Sequence, residues 1–203
     1  MSREQELKYQ LPCGISPEMI FAHPAVAPLL CGEVQHIEMH STYFDTPLRA
    51  LQARRAALRI RSENGRRVVT LKTAQQEDGA LSTRGEWEVP APDIAAGIAL
   101  LARAGAPADV LQTLAGQALC VIAQFSFTRH CAPVRMHALR ATLCVDLGFL
   151  SPDGVKKAPL RELELELSEG EISSLRALGD TLAEAFSLAP EPRAKLCRAQ
   201  EVL

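Results

Sequence analysis

The chain has 203 residues, with 22 basic and 24 acidic side chains and a formal net charge of -2. This length fits one domain with a sizeable core, and the balanced charge argues against general adhesion to nucleic acid or membranes. The six cysteines form no Cys-x-x-Cys pair, so neither a zinc cluster nor a thioredoxin-like motif is supported. No signal peptide is evident and no apolar run approaches the ~20 residues that span a bilayer. We therefore expect reduced thiols in a soluble, cytoplasmic protein.

The first part of the chain predicts a strand, a helix and a second strand. Alternating residues from Glu4 predict a strand that ends near Leu11. Ser16-Pro17-Glu18 supplies an N-cap, a proline at the first helical position and an acidic first turn, which predicts a helix to about Leu30. Residues 34–44 then have the pattern of a strand.

A short helix and a hairpin are predicted next. Residues 45–47, Asp-Thr-Pro, have the form of a cap before a short helix near 48–54. Residues 57–61 and 68–73 flank a turn centred on Asn64-Gly65. Because asparagine followed by glycine is the strongest local hairpin signal, these two segments should pair antiparallel.

A helical insert divides the predicted strands. An alternating strand at 85–90 is followed by an alanine- and leucine-rich stretch, 94–114, which Gly105 and Pro107 interrupt. This pattern predicts two short helices within an insert near 92–115.

Strand patterns dominate the second half of the chain. They cover residues 119–129, a restart after Pro133, 143–147 and 160–167, with a turn at Ser151-Pro152-Asp153-Gly154. Leucines at helical spacing follow over 172–186, and a basic segment covers 193–203. We therefore predict carboxy-terminal helices near 171–203.

Charge recurs at every second position in four predicted strands. The sets are Glu4/Glu6/Lys8, Arg59/Arg61, Glu86/Glu88 and Glu162/Glu164/Glu166. Because strand side chains alternate, each set lies on one face. A single strand of this kind is typical of a solvated surface. The recurrence, and the separation of three mainly acidic strands from a basic hairpin that also carries Lys72, favour a charged interior instead.

Closing the sheet into a barrel would turn one face inward, and a barrel of about eight strands has room for side chains and one small ligand. Carboxylates suit hard divalent cations such as Mg²⁺ and Mn²⁺, whereas arginine and lysine bind phosphate oxygens. The two sets together indicate a site for a metal-bound polyphosphate. A purely structural interior of salt bridges is the alternative that the residues leave open.

Read together, the motifs resemble the CYTH superfamily, the triphosphate tunnel metalloenzymes. They are Glu4-Gln-Glu-Leu-Lys8, Tyr43-Phe-Asp-Thr-Pro47, Leu58-Arg-Ile-Arg61, Thr70-Leu-Lys72, Arg84-Gly-Glu-Trp-Glu88, Arg129, Asp146, Glu162-Leu-Glu-Leu-Glu166 and Lys195-Leu-Cys-Arg198. The resemblance implies an α+β fold, namely a closed eight-stranded antiparallel β-barrel with helices packed outside, and a single CYTH domain over 1–203. Within the superfamily the chain looks most like bacterial inorganic triphosphatases, which hydrolyse tripolyphosphate to pyrophosphate and phosphate.

The resemblance also implies a metal site, for Mg²⁺ or Mn²⁺. It makes Glu4, Glu6, Glu164 and Glu166 metal ligands, and Asp146 either a metal contact or a carboxylate behind the ligands. One metal would orient the phosphate chain and a second would activate water.

Four residues are implied to act in catalysis. Glu86 and Glu88 would complete the second metal site or orient the attacking water, unless they only pair with arginine. Lys8 and Tyr43 match a lysine and tyrosine that some members use to handle protons, and Lys8 could equally be a plain phosphate contact.

The remaining basic residues are implied to bind substrate. Those expected to contact phosphate are Arg59, Arg61, Lys72 and Arg129, with Arg84 and Lys8 as further candidates. Lys195 and Arg198 fit a terminal basic element that plugs or lines a tunnel mouth, and a solvated helix surface is the alternative for both.

Other functions on the same fold stay open. Class IV adenylate cyclases and thiamine triphosphatases share the triphosphate-binding site of the superfamily, but no aromatic stacking platform for a base or thiazole is evident in this sequence. A non-catalytic polyphosphate-binding module is a third reading. Because part of the family joins the CYTH domain to a helical CHAD domain, a longer parent chain is another alternative. We expect inorganic triphosphate or another triphosphorylated small molecule as ligand, and no nucleic acid or membrane partner.

Overall fold

Eight antiparallel strands close into a barrel in the computed structural model, which describes residues 2–151 and 157–201. The strands are β1 (Ser2–Gln10), β2 (Gln35–Asp45), β3 (Ala57–Glu63), β4 (Arg66–Lys72), β5 (Gln76–Asp78), β6 (Leu81–Pro90), β7 (Cys120–Met136), β8 (Leu139–Ser151), β9 (Ala158–Glu169) and β10 (Ala189–Pro190). The wall runs β1-β9-β8-β7-β2-β3-β4-β6, and β6 pairs again with β1. The short strands β5 and β10 add to β6 and β1. The predicted closed barrel is confirmed.

Six α-helices accompany the barrel among the described residues. They are α1 (Pro17–Phe21), α2 (Ala50–Ala53), α3 (Ile94–Arg103), α4 (Ala108–Gln112), α5 (Ile172–Phe186) and α6 (Lys195–Gln200). The apolar side of α5 packs on the outer face of β1, β8 and β9, whereas α3 covers β4 and β6 and α4 packs against α3. In the part of the chain that the structure describes, no helix is long and apolar enough to cross a membrane.

The alternation of β1 and β9 explains why charge faces inward. Leu7, Leu163 and Leu165 are buried under α5. Their neighbours Lys8 and Glu164 are register partners on the opposite face of the same two strands. Burial of the leucines under the helix therefore forces the charged residues into the barrel.

Several local predictions are confirmed. The 57–73 hairpin forms β3 and β4, and the insert contains two helices, α3 and α4. Asp45 is buried and accepts backbone hydrogen bonds from Thr46 at 2.7 Å and Leu51 at 2.9 Å, so it caps α2 as expected. Trp87 packs in the core between the sheet and the insert.

Two predicted boundaries are wrong, and proline explains each. The helix predicted to reach Leu30 ends at Phe21, and a short 3-10 helix follows at Ala27–Leu29. Pro24 lacks an N–H and its ring clashes with the preceding turn, so the helix cannot continue. Strand β7 runs unbroken through Pro133, where we predicted a restart. Within the predicted turn at 151–154, residues 152–154 lie outside the described residues.

Gly148 gives a test of the barrel wall. A Cβ added there would lie 2.3 Å from the Ser126 carbonyl oxygen and 2.4 Å from Phe127 Cα. Because these atoms belong to the backbone of β7, they cannot move without disturbing the strand pairing. We expect Gly148→Ala to lower the free energy of unfolding by roughly 1–3 kcal/mol, measured by urea denaturation. Phe149→Ala is the control, since Phe149 is 51 % exposed, and equal losses in both variants would contradict the packing argument.

Candidate active site

The barrel encloses a cavity of about 430 Å³. Most of the residues that the sequence nominated line it, and these are Glu4, Glu6, Lys8, Tyr43, Arg59, Arg61, Lys72, Arg84, Glu86, Glu88, Arg129, Glu164, Glu166 and Lys195. Asp146 and Arg198 lie behind this lining, where both contact other charged residues. Because alternate side chains of each strand face the interior, residues from β1, β2, β3, β4, β6, β7 and β9 lie together in one enclosed space.

Glu166 lies in a corner of the cavity that is rich in carboxylates. It is the register partner of Glu6. Burial, and then the negative charges of Glu4 and Glu6, raise the pKa of Glu166 to about 7. No ion pair of Glu166 occurs among residues 2–151 and 157–201. The corner therefore carries negative charge that the protein's own cations leave partly uncompensated.

Arg84 and Lys72 hold the other two carboxylates of this corner. Arg84 contacts Glu4 through Nε and lies 2.9 Å from Glu6 through Nη2. Lys72 Nζ is 3.0 Å from Glu4 Oε1. Burial alone would raise the pKa of Glu4, but Lys72 and Arg84 outweigh burial and lower it. Glu4 is thus ionised at neutral pH.

The adjoining wall, built by β3, β4 and β6, carries the arginine pair. Arg59 Nη2 lies 3.8 Å from Glu86 and 3.5 Å from Glu88, and Arg61 Nη2 is 3.3 Å from Glu88. The Nε atoms of Arg59 and Arg61 are both buried and find no hydrogen-bond acceptor among the described residues. Unsatisfied buried donors are costly, so this wall is suited to an anionic ligand.

Glu86 and Glu88 differ in their affinity for a proton. Burial and the negative charge of Glu4 raise the pKa of Glu86, although Lys72, 2.9 Å away, opposes them. For Glu88 burial also favours the neutral form, but Arg61 and Arg59 outweigh it and lower the pKa. The Thr70 hydroxyl donates to Glu88 at 2.9 Å. The expected ion pairs with arginine are therefore present, and the two carboxylates have distinct protonation behaviour.

Lys8 and Tyr43 both face the cavity and are both buried. Burial lowers the pKa of Lys8, and the charge of Arg84 adds to this effect, while Glu6 opposes it. Burial would raise the pKa of Tyr43, but positive charge from Arg59 and further lysines lowers it overall. Both groups can therefore exchange a proton more readily than an ordinary lysine or tyrosine.

Lys195 occupies the centre of a second carboxylate cluster. Oxygen atoms of Asp146, Glu162 and Glu164 lie within 4.8 Å of one another. The Lys195 ammonium reaches all three, at 3.1, 2.5 and 2.6 Å respectively. Burial alone would raise the pKa of Glu164, but the positive charges of Lys195 and Arg129 outweigh burial. The pKa of Glu164 therefore lies well below its usual range. At this end the protein supplies the compensating cation itself.

Arg129 and Arg198 complete this cluster. Arg129 forms a fork with Asp146, with hydrogen bonds of 2.8 and 2.7 Å, and Nη2 also donates to Glu164 at 2.5 Å. Arg198 pairs with Glu162 and lies 3.7 Å from Glu191. Of the predicted substrate-binding residues, Arg198 is thus placed against carboxylates and away from the cavity lining.

Three residues of the site were missed as site residues by sequence reasoning. Glu162 has the same parity as Glu164 and Glu166, so the alternation could have nominated it. Glu191 is buried and accepts from Gln10 at 3.0 Å, and Gln75 accepts from Arg84 at 3.2 Å. Both lie in connecting segments, where no periodicity marks an inward side chain.

Part of the cavity lining is apolar. It includes Phe44, Ile122, Phe127 and Leu196, of which Leu196 is contributed by α6. The cavity can therefore contact uncharged as well as charged groups.

Comparison with known proteins identifies the family. Residues 2–198 match the family model described as a CYTH domain, and the chain belongs to the CYTH family. An inorganic triphosphatase of Haemophilus influenzae is 27% identical over 179 residues, which are 88% of this chain and 49% of that protein. The chain thus spans about half the length of this curated relative.

Solved structures share the fold. A putative adenylyl cyclase from Hippeastrum, described as revealing a dominant triphosphatase activity, superposes with a TM-score of 0.63 at 20% identity, covering 98% of this chain and 95% of that one. The PH1819 protein of Pyrococcus horikoshii superposes with a TM-score of 0.56 at 22% identity, covering 98% of each chain. At these identities the matches show the barrel fold alone.

Removing the Lys195 ammonium should leave three buried carboxylates without their shared cation. We expect Lys195→Met to lower the free energy of unfolding by about 3–5 kcal/mol, since breaking a buried ion pair from one side is strongly destabilising. The measurement is urea denaturation without divalent cations.

The control for this prediction is Arg140→Met. Arg140 pairs with Glu169 at the surface, where the two side chains are 57% and 66% exposed, so its loss should cost about 0–1 kcal/mol. Adding Glu162→Gln to Lys195→Met should restore part of the stability. An equal effect of the two single variants would show that Lys195 does not neutralise the cluster.

Proposed function

We propose that this chain hydrolyses inorganic triphosphate, tripolyphosphate, to pyrophosphate and phosphate with Mg²⁺ or Mn²⁺. The observation that carries the proposal is one enclosed cavity with a carboxylate-rich corner on β1 and β9 and unsatisfied arginine donors on the facing β3. Family membership and the triphosphatase relative support the same chemistry.

The phosphate chain would lie along the basic wall. Arg59 and Arg61 have buried Nε donors that find no acceptor in the described chain, and Lys72 borders the same space. Guanidinium forks match phosphate oxygens and lysine adds a compact charge. These groups would also offset negative charge that develops on the reacting phosphate in the transition state.

The donor set of the acidic corner fits a hard divalent cation. Glu4, Glu6 and Glu166 offer carboxylate oxygens, the ligands that Mg²⁺ and Mn²⁺ prefer. Burial, and then the negative charges of Glu4 and Glu6, raise the pKa of Glu166. These three residues would hold the ion. When bound, the ion would neutralise phosphate charge and increase the acidity of a coordinated water. Glu4 and Glu6 pair with Arg84, and Glu164 and Asp146 pair with Lys195 and Arg129. Glu166 is therefore the carboxylate that no ion pair occupies among the described residues.

The remaining residues would position water and move protons. Glu86, whose pKa is raised, is the better proton acceptor of its pair and would take a proton from the attacking water. Glu88, ionised beside Arg59 and Arg61, would orient that water. Lys8 has a lowered pKa and would donate a proton to the leaving pyrophosphate, with Tyr43 on the same cavity surface.

An organic triphosphate is the second candidate substrate class. The apolar lining residues Phe127 and Leu196 would contact a base or a thiazole, as a cyclase or a thiamine triphosphatase would need. A polyphosphate-binding module without catalysis would use the same charged walls. We also propose a cytoplasmic location, because free thiols at all six cysteines fit a reducing compartment. A CHAD domain in a longer parent chain is a further part of the proposal.

Catalysis should depend on the acidic corner and the arginine pair. We expect phosphate release from tripolyphosphate with Mg²⁺ or Mn²⁺, abolished by a chelator. Glu4→Gln and Arg59→Met should each lower kcat by roughly 10²–10³, the usual cost of removing one charge-stabilising group. Phosphate is measured colorimetrically.

Glu33→Gln is the matched control for Glu4→Gln, because Glu33 is exposed and outside the cavity. It should keep the activity of the parent protein. Absence of turnover in the parent, with tight tripolyphosphate binding by calorimetry, would replace the hydrolase by a binding module.

We expect the protein to prefer a bare phosphate chain, which contacts only the charged wall, over a triphosphate that carries an organic group. We expect kcat/KM for tripolyphosphate to exceed that for ATP and thiamine triphosphate by about tenfold or more. The cavity has few apolar lining residues to hold an added organic group, and discrimination of this kind amounts to roughly 1–3 kcal/mol. Initial rates over the three substrates measure this ratio. The reverse order, or formation of cyclic AMP, would favour the organic class.

A further inference from the structure

Two cysteines face one another across neighbouring barrel strands. Cys131 on β7 and Cys144 on β8 are direct register partners. Pro133 and Thr142 are the pair two residues further along, and the register between these pairs has no shift. The Pro133 carbonyl accepts a hydrogen bond from the Cys31 N–H at 2.9 Å, so it points away from β8.

The hydrogen bonding of Pro133 determines whether Cys131 and Cys144 form a hydrogen-bonded or a non-hydrogen-bonded pair. Because Pro133 has no N–H and its carbonyl faces another partner, Pro133 and Thr142 are a non-hydrogen-bonded pair. Pair types alternate along an antiparallel ladder, so Cys131 and Cys144 are also non-hydrogen-bonded. The Cα atoms of such a pair are about 4.5 Å apart, which falls within the range of roughly 4.4–6.8 Å that a disulfide needs.

The two thiols already interact and differ in access. Cys144 is 2% exposed, whereas Cys131 is partly exposed. The neighbouring Cys144 thiol lowers the pKa of Cys131 to about 7. Cys131 is therefore the sulfur that a reagent meets first, and Cys144 is placed behind it.

The pair lies on the interior side of the wall. Cys131 is two residues from Arg129 and Cys144 is two residues from Asp146, so both share the inward face of those charged residues. Arg129 and Asp146 are themselves register partners, and Cys144 opposite Glu164 extends the same face onto β9. The thiols thus share the inward face of the wall with these charged residues, outside the set that lines the cavity.

We propose that Cys131 and Cys144 are a redox site that forms a reversible intrachain disulfide with a low-molecular-weight disulfide as oxidant. The Cys131 sulfur attacks one sulfur of the reagent and forms a mixed disulfide, while the first small thiol leaves. The Cys144 sulfur then attacks the Cys131 sulfur and expels the second small thiol. Two protein thiols are oxidised and one small disulfide is reduced to two thiols. This site goes beyond triphosphate hydrolysis and does not depend on it.

The experiment maps the disulfide directly. The purified chain is incubated with oxidised glutathione, free thiols are blocked with N-ethylmaleimide, and tryptic peptides are analysed by mass spectrometry. Because trypsin cuts after Arg129, Arg135 and Arg140, the two cysteines fall in different peptides. We expect one linked species that has lost two hydrogen atoms and that dithiothreitol separates, while Cys13, Cys31, Cys120 and Cys197, which are exposed, carry the blocking reagent or glutathione.

Variants test the order of the two steps. Cys144→Ser should leave a stable glutathione adduct on Cys131, because the second attack is lost. Cys131→Ser should leave Cys144 without glutathione, since its sulfur is buried. Cys13→Ser, at an exposed thiol elsewhere, should not change the linked species. Recovery of Cys131 and Cys144 as separate blocked peptides, or linkage of Cys131 to another cysteine, would overturn the proposal.

Discussion

The barrel depends on pairing charges that have been removed from water. Burying an isolated carboxylate or ammonium costs several kcal/mol, and only opposite charge and hydrogen bonds at close range offset that cost. Arg84 between Glu4 and Glu6, and Lys195 among Asp146, Glu162 and Glu164, meet this requirement. The hydrophobic stabilisation comes from outside, where α5 and the α3–α4 insert cover the apolar face of the wall. The interior can therefore stay polar without loss of the fold.

Charge pairing is uneven along the cavity, and the pKa values of two neighbouring glutamates differ accordingly. Glu164 and Glu166 are two residues apart on β9 and face the same space. Lys195 and Arg129 overcome the effect of burial and lower the pKa of Glu164. Burial and the negative charges of Glu4 and Glu6 raise that of Glu166 to about 7. One strand thus passes from a region where the protein's own cations balance its carboxylates to a region where they do not.

Sequence periodicity predicted which residues face inward, because a strand has a period of two and a helix-covered face must be apolar. It therefore found the lining, from Glu4 and Arg59 to Glu164, and the helix α5. It did not predict how deep each side chain lies, which depends on register and strand tilt, so it left open whether Asp146 contacts a metal or lies behind the ligands. Asp146 lies behind Arg129 and Lys195. The roles of Glu191 and Gln75 depend on how connecting segments fold back over the barrel, and alternation carries no information about that.

The two ends of the cavity consequently have different tasks. At the α6 end, a lysine from the carboxy-terminal helix fills the space among three carboxylates, and the electrostatic balance there is internal to the protein. At the Glu166 corner, the same chemistry of carboxylate oxygens lacks a full protein counterion, while across the cavity Arg59 and Arg61 have donors that find no acceptor in the described chain. Excess negative charge on one wall and unsatisfied donors on the other would each be relieved by a cation bound together with an anion. The metal-bound phosphate chain that we propose as ligand would supply both at once.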